Sequence, residues 1–549
     1  MGKTKIIFVA GGLFSGIGKG VVSASLANLF KSNGQKVFLQ KHDPYLNVDA
    51  NLMSPYEHGE VFVTADGKAC DLDLGTYERF SDQNMTKDSV STLGKVLFEV
   101  LTKERNADFS GKTINFYNVE KHIENDIEKI CHQEKPDVVI MEIGGNINDK
   151  NVFPYFQMIR NLIRKYGEQN FFFFFLTYLT YFSHTNEFKT RSTQQSIQIL
   201  RSYNIEPNFV LFRSEKPIPT KIFDKLSQYC YLDVQKMAIL PNLDNIYEVP
   251  LFLEKTGAFA KILRHFGWKS QIKNDNWKQF ITQFNAAQHS SRIVNIAVVN
   301  KYVNFPLSYA SIFQSCQLAA TQLNVQFRYT EISPEKIVDD PKYLATLANY
   351  EGILIPGGYD LRGFEGKILA AQYAREHQIP FFGICFGMQA SIVAFARYEL
   401  GMTNAHSKEF FPSSDSEHEF IITFVHHEGV LYKEKIGEYE IMLDANSKTA
   451  EYLQKYHTKF KSGEYRIQER RRHRLIFNSK YREKFSKAGY ISVGSEKNIP
   501  TSTEILELNN HPFYVGVQFH PEFKSRPSQP HFLFLAFFAA ILKNHHIKK

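Results

Sequence analysis

Three residues in the C-terminal half have the side chains of a thiol hydrolase: Cys385, His520 and Glu522. Cys385 stands between two glycines in GICFGMQ (383–389), after an apolar run and before a helix-forming run. A turn of this kind lifts a nucleophile clear of a sheet, and the helix N-terminus favours a thiolate. His520 and Glu522 would supply a base and the acid that orients it. Taken alone, Cys385 is equally compatible with a buried cysteine in a βα turn.

An oxyanion site is the fourth part that such a hydrolase needs. The apolar run 353–355 ends in Pro356 and the pair Gly357-Gly358, whose backbone N–H groups could face a developing oxyanion. These segments, in this order, resemble class I glutamine amidotransferases over roughly residues 293 to 545. The resemblance implies glutamine hydrolysis through a thioester, with ammonia passed to a partner domain. It also implies a set of glutamine-binding residues: Gly357, Gly358, Phe386, Gln389, Glu409 and Arg470.

The N-terminus has the pattern of a phosphate-binding loop. A strand at 5–10 runs into GGLFSGIGKG (11–20), and a helix is predicted from Val21 to Asn33. Glycines let backbone N–H groups point at phosphate oxygens, and the helix dipole adds to the attraction. Gly20 stands where a Ser or Thr usually binds magnesium, so carboxylates from elsewhere should hold the metal. The alternative is a plain glycine turn.

The polar stretches that follow make a more specific resemblance. KHDPYLNVD (41–49), MSPYEHGEVFVTADG (53–67) and DLDLGTYERF (71–80) are similar to the amidoligase domain of CTP synthases. Together with the two C-terminal motifs, the similarity covers nearly the whole chain. It implies a ligase of pyrimidine nucleotide biosynthesis that aminates UTP at C4 to CTP. The donor is glutamine or free ammonia, ATP and Mg²⁺ are required, GTP is an activator and CTP is a feedback inhibitor.

The same resemblance assigns residues to the nucleotide and metal sites. Asp73 and Glu142 would be the magnesium carboxylates. The ATP-binding residues would be Ser15, Gly16, Ile17, Gly18, Lys19, Gly20, Lys41 and Asp73. The UTP- and CTP-binding residues would be Ser15, Asp149, Asn151, Lys189, Thr190, Gln194 and Lys225.

Some positions depart from the family's usual pattern. Asn151 replaces a carboxylate that would meet the pyrimidine nucleotide, Gln195 replaces a histidine, and Ala310 replaces a lysine. The triad and the phosphate and metal residues are retained. We therefore expect the chemistry to survive, with altered CTP feedback or GTP activation.

Alternation of strands and helices predicts an α/β fold with two doubly wound domains. The first, 1–268, would be a P-loop or Rossmann-like amidoligase domain, and 269–292 a linker. The second, 293–545, would be a flavodoxin-like class I glutaminase domain. Phe171 to Phe175 are consecutive and predict a buried central strand of the first sheet.

Composition limits the remaining classes. The net charge of +8 is modest for this size, and the lysines are dispersed, which argues against nucleic-acid binding. No stretch resembles a membrane helix or a signal peptide, and the five cysteines lack disulfide or metal spacing, so we expect a cytoplasmic protein. The family resemblance implies a homotetramer, with filaments as a further assembly.

Two other functions remain open from the sequence. One is another P-loop amidoligase with a triad glutaminase that amidates a carboxylate, although the uridine-type segment from Glu187 to Gln195 argues against it. The other is a degenerate, filament-forming structural protein. The intact Cys385, His520, Glu522, Asp73 and Glu142 argue against that role.

Overall fold

The chain forms two compact α/β units. The computed structural model describes residues 3–411, 418–427, 430–431, 434–458 and 460–548. The first unit comprises Met1–Leu52 and Asp73–Ile281, and the second comprises Met53–Leu72 and Thr282–Lys549. No helix in these described ranges is both long and apolar enough to cross a membrane.

A sheet of seven parallel strands organises the first unit. Its spatial order is β7-β6-β5-β1-β4-β2-β3. In chain order the strands are β1 Lys5–Gly11, β2 Val37–Asp43, β3 Val90–Thr92, β4 Val138–Ile143, β5 Phe171–Tyr178, β6 Phe209–Ser214 and β7 Met237–Pro241. The predicted phenylalanine strand is confirmed as β5, because it pairs with β1 and β6 and its phenylalanines are at most 4% exposed. Buried on both faces, such a strand needs no polar alternation.

Helices follow the strands of this sheet. They are α1 Lys19–Ser32, α2 Asp73–Ser81, α3 Leu93–Arg105, α4 Phe116–Gln133, α5 Phe153–Tyr166, α6 Arg191–Ser202, α7 Thr220–Cys230, α8 Val249–Lys255 and α9 Ala258–His265. The carboxyl ends of β1, β2 and β4 lie at one edge, where an α/β sheet usually binds its ligand. A further helix, α10 Asp275–Gln288, lies in the predicted linker.

The second unit has a nine-stranded sheet in the order β9-β8-β10-β11-β16-β15-β14-β12-β13. Its strands are β8 Ile293–Val299, β9 Gln326–Ile332, β10 Gly352–Ile355, β11 Phe381–Ile384, β12 Lys435–Leu443, β13 Arg466–His473, β14 Tyr490–Glu496, β15 Ile505–Leu508 and β16 Tyr514–Val517. The first five strands in this spatial order, β9, β8, β10, β11 and β16, are parallel, as alternation with helices predicts. The other four pair antiparallel. The connections from β14 to β15 and from β15 to β16 are short and contain no crossover helix, which parallel pairing would require.

Helices lie between or after the strands of this unit along the chain. They are α11 Ala310–Gln322, α12 Pro334–Asp339, α13 Pro341–Ala345, α14 Phe364–Glu376, α15 Phe386–Tyr398, α16 Lys448–Tyr456, α17 Arg482–Lys487 and α18 Phe532–Lys548. The strand β11 leads directly into α15, and β16 lies beside β11. This arrangement brings the GICFGMQ and QFHPEF motifs to neighbouring strand ends.

The segment Met53–Leu72 packs within the second unit, although its neighbours in sequence belong to the first. It forms a hairpin whose Phe62 ring contacts the Phe523 ring edge-on, with 4.9 Å between centroids. Arg470 Nη1 donates to Val63 O at 3.0 Å. Residues that precede Asp73 in sequence therefore help to build the surroundings of the C-terminal motifs.

Candidate active sites

Cys385 lies at the turn between β11 and α15, and its own backbone has an unfavourable conformation, with φ 52° and ψ −101°. Its N–H donates to Val517 O at 2.6 Å, which fixes the turn to the neighbouring strand. A Cβ on Gly387 would lie 2.0 Å from Ile355 O, so α15 can approach the sheet only with glycine there. The predicted strained turn is confirmed, with the strain on the cysteine and the room supplied by the glycine.

His520 is positioned between Glu522 and Cys385. Its Nδ1 is 2.7 Å from Glu522 Oε1, and Cys385 lies close enough to affect its pKa. Because Nδ1 faces the carboxylate, Nε2 is the nitrogen left for the sulfur. Burial lowers the pKa of His520, but the Glu522 carboxylate and then Cys385 outweigh this and raise the pKa to about 10. The arrangement therefore favours the imidazolium form of His520.

A cavity of about 80 Å³ opens at this cluster. It is lined by Cys385, His520 and the pair Gly357-Gly358, and a Cβ on Gly357 would lie 2.9 Å from His520 Cε1. Pro55 and Val61, from the segment Met53–Leu72, also line it. The predicted oxyanion glycines thus lie beside the predicted nucleophile and base.

The arginine at this cavity is Arg472, whereas Arg470 does not line it. Arg470 is fully buried, and its guanidinium lies 5.4 Å from the Phe62 ring centroid, under the hairpin. Arg472 O accepts from Cys385 Sγ at 3.9 Å, and the Arg472 guanidinium lies 5.2 Å from the Tyr359 ring centroid. The two arginines share a strand face by the two-residue period, but the hairpin covers only the first. The hairpin's position was not predictable from the arginine-rich run itself.

The other residues predicted to bind glutamine include Gln389, Phe386 and Glu409. Gln389 Nε2 donates to Gln518 Oε1 at 3.5 Å, and Gln518 Nε2 donates to Cys385 Sγ at 3.6 Å. Sequence reasoning missed Gln518, although it stands in the same motif as His520. Phe386 packs under the glycine loop, and a Cβ on Gly358 would lie 3.4 Å from its ring. Glu409 Oε1 accepts from Arg474 Nη2 at 2.9 Å.

In the first unit, the loop before α1 has the backbone of a phosphate cradle. Gly16 and Gly18 have φ values of 70° and 88°, which favour glycine. Lys19 is buried, and its Nζ donates to Gly145 O at 2.6 Å. Burial lowers the pKa of Lys19, with Glu142 acting in the opposite direction. The lysine is therefore placed at the sheet edge rather than in solvent.

Steric crowding explains why position 20 is a glycine and not a serine or threonine. A Cβ there would lie 2.2 Å from Asp73 Oδ1, so the Asp73 carboxylate occupies the space that a Ser or Thr side chain would need. The sequence predicts that carboxylates replace the missing hydroxyl, and the position of Asp73 is consistent with this.

Carboxylates cluster beside this loop. Lys41 Nζ pairs with Asp73 Oδ2, and it lies 3.5 Å from Asp43 Oδ1. Glu142 is buried at the end of β4 and accepts from the Tyr77 hydroxyl. Burial and then the neighbouring Asp73 raise the pKa of Glu142 to about 8. Repulsion between buried carboxylates is relieved by a cation, and their oxygens are the ligands that Mg²⁺ prefers. The donor set at Asp73 and Glu142 therefore fits magnesium.

The predicted uridine-nucleotide residues lie at the start of α6 and on α7. Gln194 Nε2 donates to Thr190 Oγ1 at 3.0 Å. Lys189 pairs with Glu187, and it lowers the Glu187 pKa, with a smaller contribution from Lys225. The structure thus brings these four residues near one another: Lys189, Thr190, Gln194 and Lys225.

The remaining nucleotide residues lie on loops. Ser15 is exposed on the phosphate loop, and Asp149 Oδ1 accepts the Asn151 N–H at 2.9 Å. Arg213, which sequence reasoning missed, donates from Nη1 to Ile17 O at 3.2 Å. Its only sequence signal is its place near the end of β6, at the carboxyl edge of the sheet.

Comparison with known proteins decides between the readings left open by the sequence. Residues 5–268 match the family described as CTP synthase N-terminus, and residues 308–540 match glutamine amidotransferase class-I. The CTP synthase of Carboxydothermus hydrogenoformans is 40% identical to this chain, over 98% of this chain and 99% of its own. The chain belongs to the CTP synthase family. The CTP synthase of Bacillus subtilis is 38% identical, over 98% of each chain.

Membership of the CTP synthase family confirms the resemblance drawn from the motifs, and the α/β fold agrees with it. The two family matches fall on chemically different centres, one of lysines and carboxylates and one with a thiol, an imidazole and a carboxylate. Among solved structures, the glutaminase domain of Trypanosoma brucei CTPS with bound acivicin is 28% identical, over 46% of this chain and 94% of that chain, with a TM-score of 0.41.

Proposed function

We propose that the chain catalyses the ATP-dependent amination of UTP to CTP, with ammonia from glutamine hydrolysis or from free ammonium. The carrying observation is the juxtaposition of Cys385, His520 and Glu522 at a cavity, in a chain of the CTP synthase family that also retains Asp73 and Glu142. The centre at Cys385 releases ammonia, and the centre at Asp73 and Glu142 consumes it.

Glutamine hydrolysis follows from the Cys385 geometry. The thiolate attacks the side-chain amide carbon, and the charge that develops on the amide oxygen is met by the backbone at Gly357-Gly358. His520 gives its proton to the departing nitrogen, so ammonia leaves and a thioester remains. Water, deprotonated by His520, then releases glutamate. Glu522 holds the imidazole in the required tautomer and stabilises the imidazolium.

Replacing Glu522 with glutamine should lower glutamine hydrolysis by roughly 100-fold or more at neutral pH, because the imidazole loses its orienting charge.

The raised pKa of His520 also predicts how the stability of the protein depends on pH. The pKa of His520 is about 10 in the folded state and 6.5 in the unfolded state. Protonated His520 therefore stabilises the folded state in full below pH 6.5, and this stabilisation is lost as the pH rises through about 10. The wild type should therefore lose its stability advantage over the variant across that interval, measured by urea unfolding.

Glu483→Gln is the matched control for this substitution, because Glu483 is an exposed residue of the same unit that pairs with the exposed Lys487. It should leave both hydrolysis and the pH dependence of unfolding unchanged. A stability advantage of the wild type over Glu522→Gln that stays constant from pH 6.5 to 10 would contradict the role given to His520.

The synthase centre is assigned to the lysines and carboxylates of the first unit. Bound Mg²⁺, held by Asp73 and Glu142, would supply charge neutralisation for the ATP phosphates. Lys19 and Lys41 add positive charge where a phosphoryl group passes from ATP to O4 of UTP. Ammonia then attacks C4, the C–O bond to the phosphorylated oxygen breaks, and phosphate leaves. Lys189, Gln194 and Lys225 are assigned to the uridine nucleotide.

Regulation by CTP and GTP is the function that we expect the departures from the family's usual residues to affect most. CTP is proposed to overlap the UTP triphosphate site, and GTP to activate hydrolysis. Asn151 is bonded through its N–H to Asp149 and carries no charge toward a pyrimidine nucleotide. We expect weakened CTP inhibition or altered GTP activation in a kinetic titration, with Asn151→Glu shifting CTP inhibition toward tighter binding. Unchanged CTP inhibition in Asn151→Glu, beside ordinary GTP stimulation of the wild type, would contradict the expectation.

Assembly into a homotetramer, with filaments as a further state, is proposed from the family. It is supported by large apolar side chains that are exposed on α3 and at the start of α4: Phe98, Leu101, Phe116 and Tyr117. Exposed apolar patches mark protein–protein contacts. A cytoplasmic location is proposed because none of the five cysteines forms a disulfide.

The proposed function is tested by following the transferred nitrogen. Glutamine labelled with heavy nitrogen on its side-chain amide, incubated with UTP, ATP and Mg²⁺, should give CTP with the label on its exocyclic amino group. An excess of unlabelled ammonium should dilute the label. Glutamate formation without labelled CTP would show hydrolysis without transfer, against the proposal.

A further inference from the structure

Lys367 is a fully buried lysine that the mechanism above does not use. It lies in the first turns of α14, and its Nζ donates to Pro356 O at 3.5 Å and lies 4.9 Å from the Phe386 ring centroid. A Cβ on Gly358 would be only 3.5 Å from this Nζ. The ammonium is therefore held directly against the glycine loop.

Keeping an ammonium in this place is costly. Burial, and next the neighbouring Lys301, lower the pKa of Lys367 to about 7, while Cys385, Asp360 and Glu335 act in the opposite direction. An apolar side chain would fill the same space without the desolvation cost. A lysine retained here is better explained by what it holds than by packing.

What Lys367 holds is the peptide group between Pro356 and Gly357. The C=O and N–H of a trans peptide point in opposite directions. The bond to Pro356 O therefore sets the direction of the Gly357 N–H. In the same way, the Tyr309 hydroxyl donates to Gly357 O at 3.3 Å and sets the direction of the Gly358 N–H.

The glycine pair is also tied on its other side. Lys301 is buried, and its Nζ donates to Tyr359 O and lies 2.8 Å from Asp360 Oδ2. Asp360 itself has φ 65°, in the left-handed region. Both ends of the loop are thus fixed by lysines, while Gly357 faces the nucleophile, since a Cβ on it would be 3.7 Å from Cys385 Cβ.

We propose that Lys367 and Tyr309 are positioning residues of the glutaminase centre, which aim the Gly357 and Gly358 N–H groups at the amide oxygen of glutamine. This inference rests on the proposed glutamine hydrolysis at Cys385. Each side chain acts through a backbone carbonyl, and Tyr309 also lines the cavity at Cys385.

Lys367→Met tests the proposal, since methionine has a similar length and no donor. The kcat for glutamine hydrolysis should fall roughly tenfold or more, with KM within about twofold, because the lost interaction serves the transition state. Alkylation of Cys385 by iodoacetamide forms no tetrahedral oxyanion and should keep its rate. The melting temperature should be equal or higher, since a buried charge has been removed. Lys342→Met, at an exposed lysine of the same unit, should change none of these quantities.

Tyr309→Phe is the second variant, because it removes only the hydroxyl that bonds Gly357 O, and it should show the same fall in kcat at unchanged KM. Wild-type kcat in either folded variant would overturn the proposal. A parallel loss of kcat, glutamine affinity, alkylation rate and stability would show a merely structural role and would also overturn it. A wild-type protein that does not hydrolyse glutamine would overturn the proposed function and, with it, this inference.

Discussion

Cys385→Ala is expected to abolish CTP formation from glutamine while CTP formation from ammonium chloride stays within about twofold of the wild type. The thiolate is the attacking group, and alanine leaves the base and the oxyanion donors with nothing to activate. The synthase centre, by contrast, contains no part of the Cys385 turn. Rates with each nitrogen donor, measured on the same preparation, check this.

The matched control is Cys131→Ala, which removes another buried free thiol, on α4 of the first unit. It should retain both rates. Loss of ammonia-dependent turnover in a folded Cys385→Ala protein would contradict the division into two centres. Retained glutamine-dependent turnover would remove Cys385 from the mechanism.

Asp73→Asn should impair CTP synthesis and spare glutamine hydrolysis, the reverse of Cys385→Ala. We expect CTP formation to fall by roughly 100-fold or more with either nitrogen donor, because a charged ligand and the partner of Lys41 are lost together. Glutamine hydrolysis by the second unit should continue. Parallel assays of CTP and glutamate formation measure the two activities.

Asp82→Asn controls for the same chemical change nearby. Asp82 is exposed just beyond α2, and its φ of 49° is readily adopted by asparagine. This variant should behave as the wild type in both assays. An Asp73→Asn protein that still forms CTP at the wild-type rate would remove Asp73 from the synthase centre.

Local patterns were enough to predict the elements that carry chemistry. The phenylalanine run gave β5 because a strand buried on both faces needs continuous apolar residues. The motifs gave Cys385, His520 and Glu522 because a strand end and a helix start fix a side chain's place with few neighbours. The absence of a hydroxyl at Gly20 led to the prediction that carboxylates from elsewhere hold the metal, and the structure places the Asp73 carboxylate in that space.

Features that depend on long-range packing were out of reach. Nothing in the sequence of Met53–Leu72 indicates that it packs beside Phe523, far away along the chain. That hairpin covers Arg470 and leaves Arg472 at the cavity, so two arginines alike in sequence differ in place. The antiparallel half of the second sheet was also missed, because the residue pattern within a strand does not determine the direction of its neighbour.

The measurement that tests the account most directly is CTP formation from UTP, ATP and Mg²⁺, first with ammonium chloride and then with glutamine plus GTP. The account predicts product with both donors, since both centres retain their chemical groups. Product with ammonium alone would keep the synthase centre and contradict the coupled glutaminase. No product with either donor, from folded protein, would contradict the central claim.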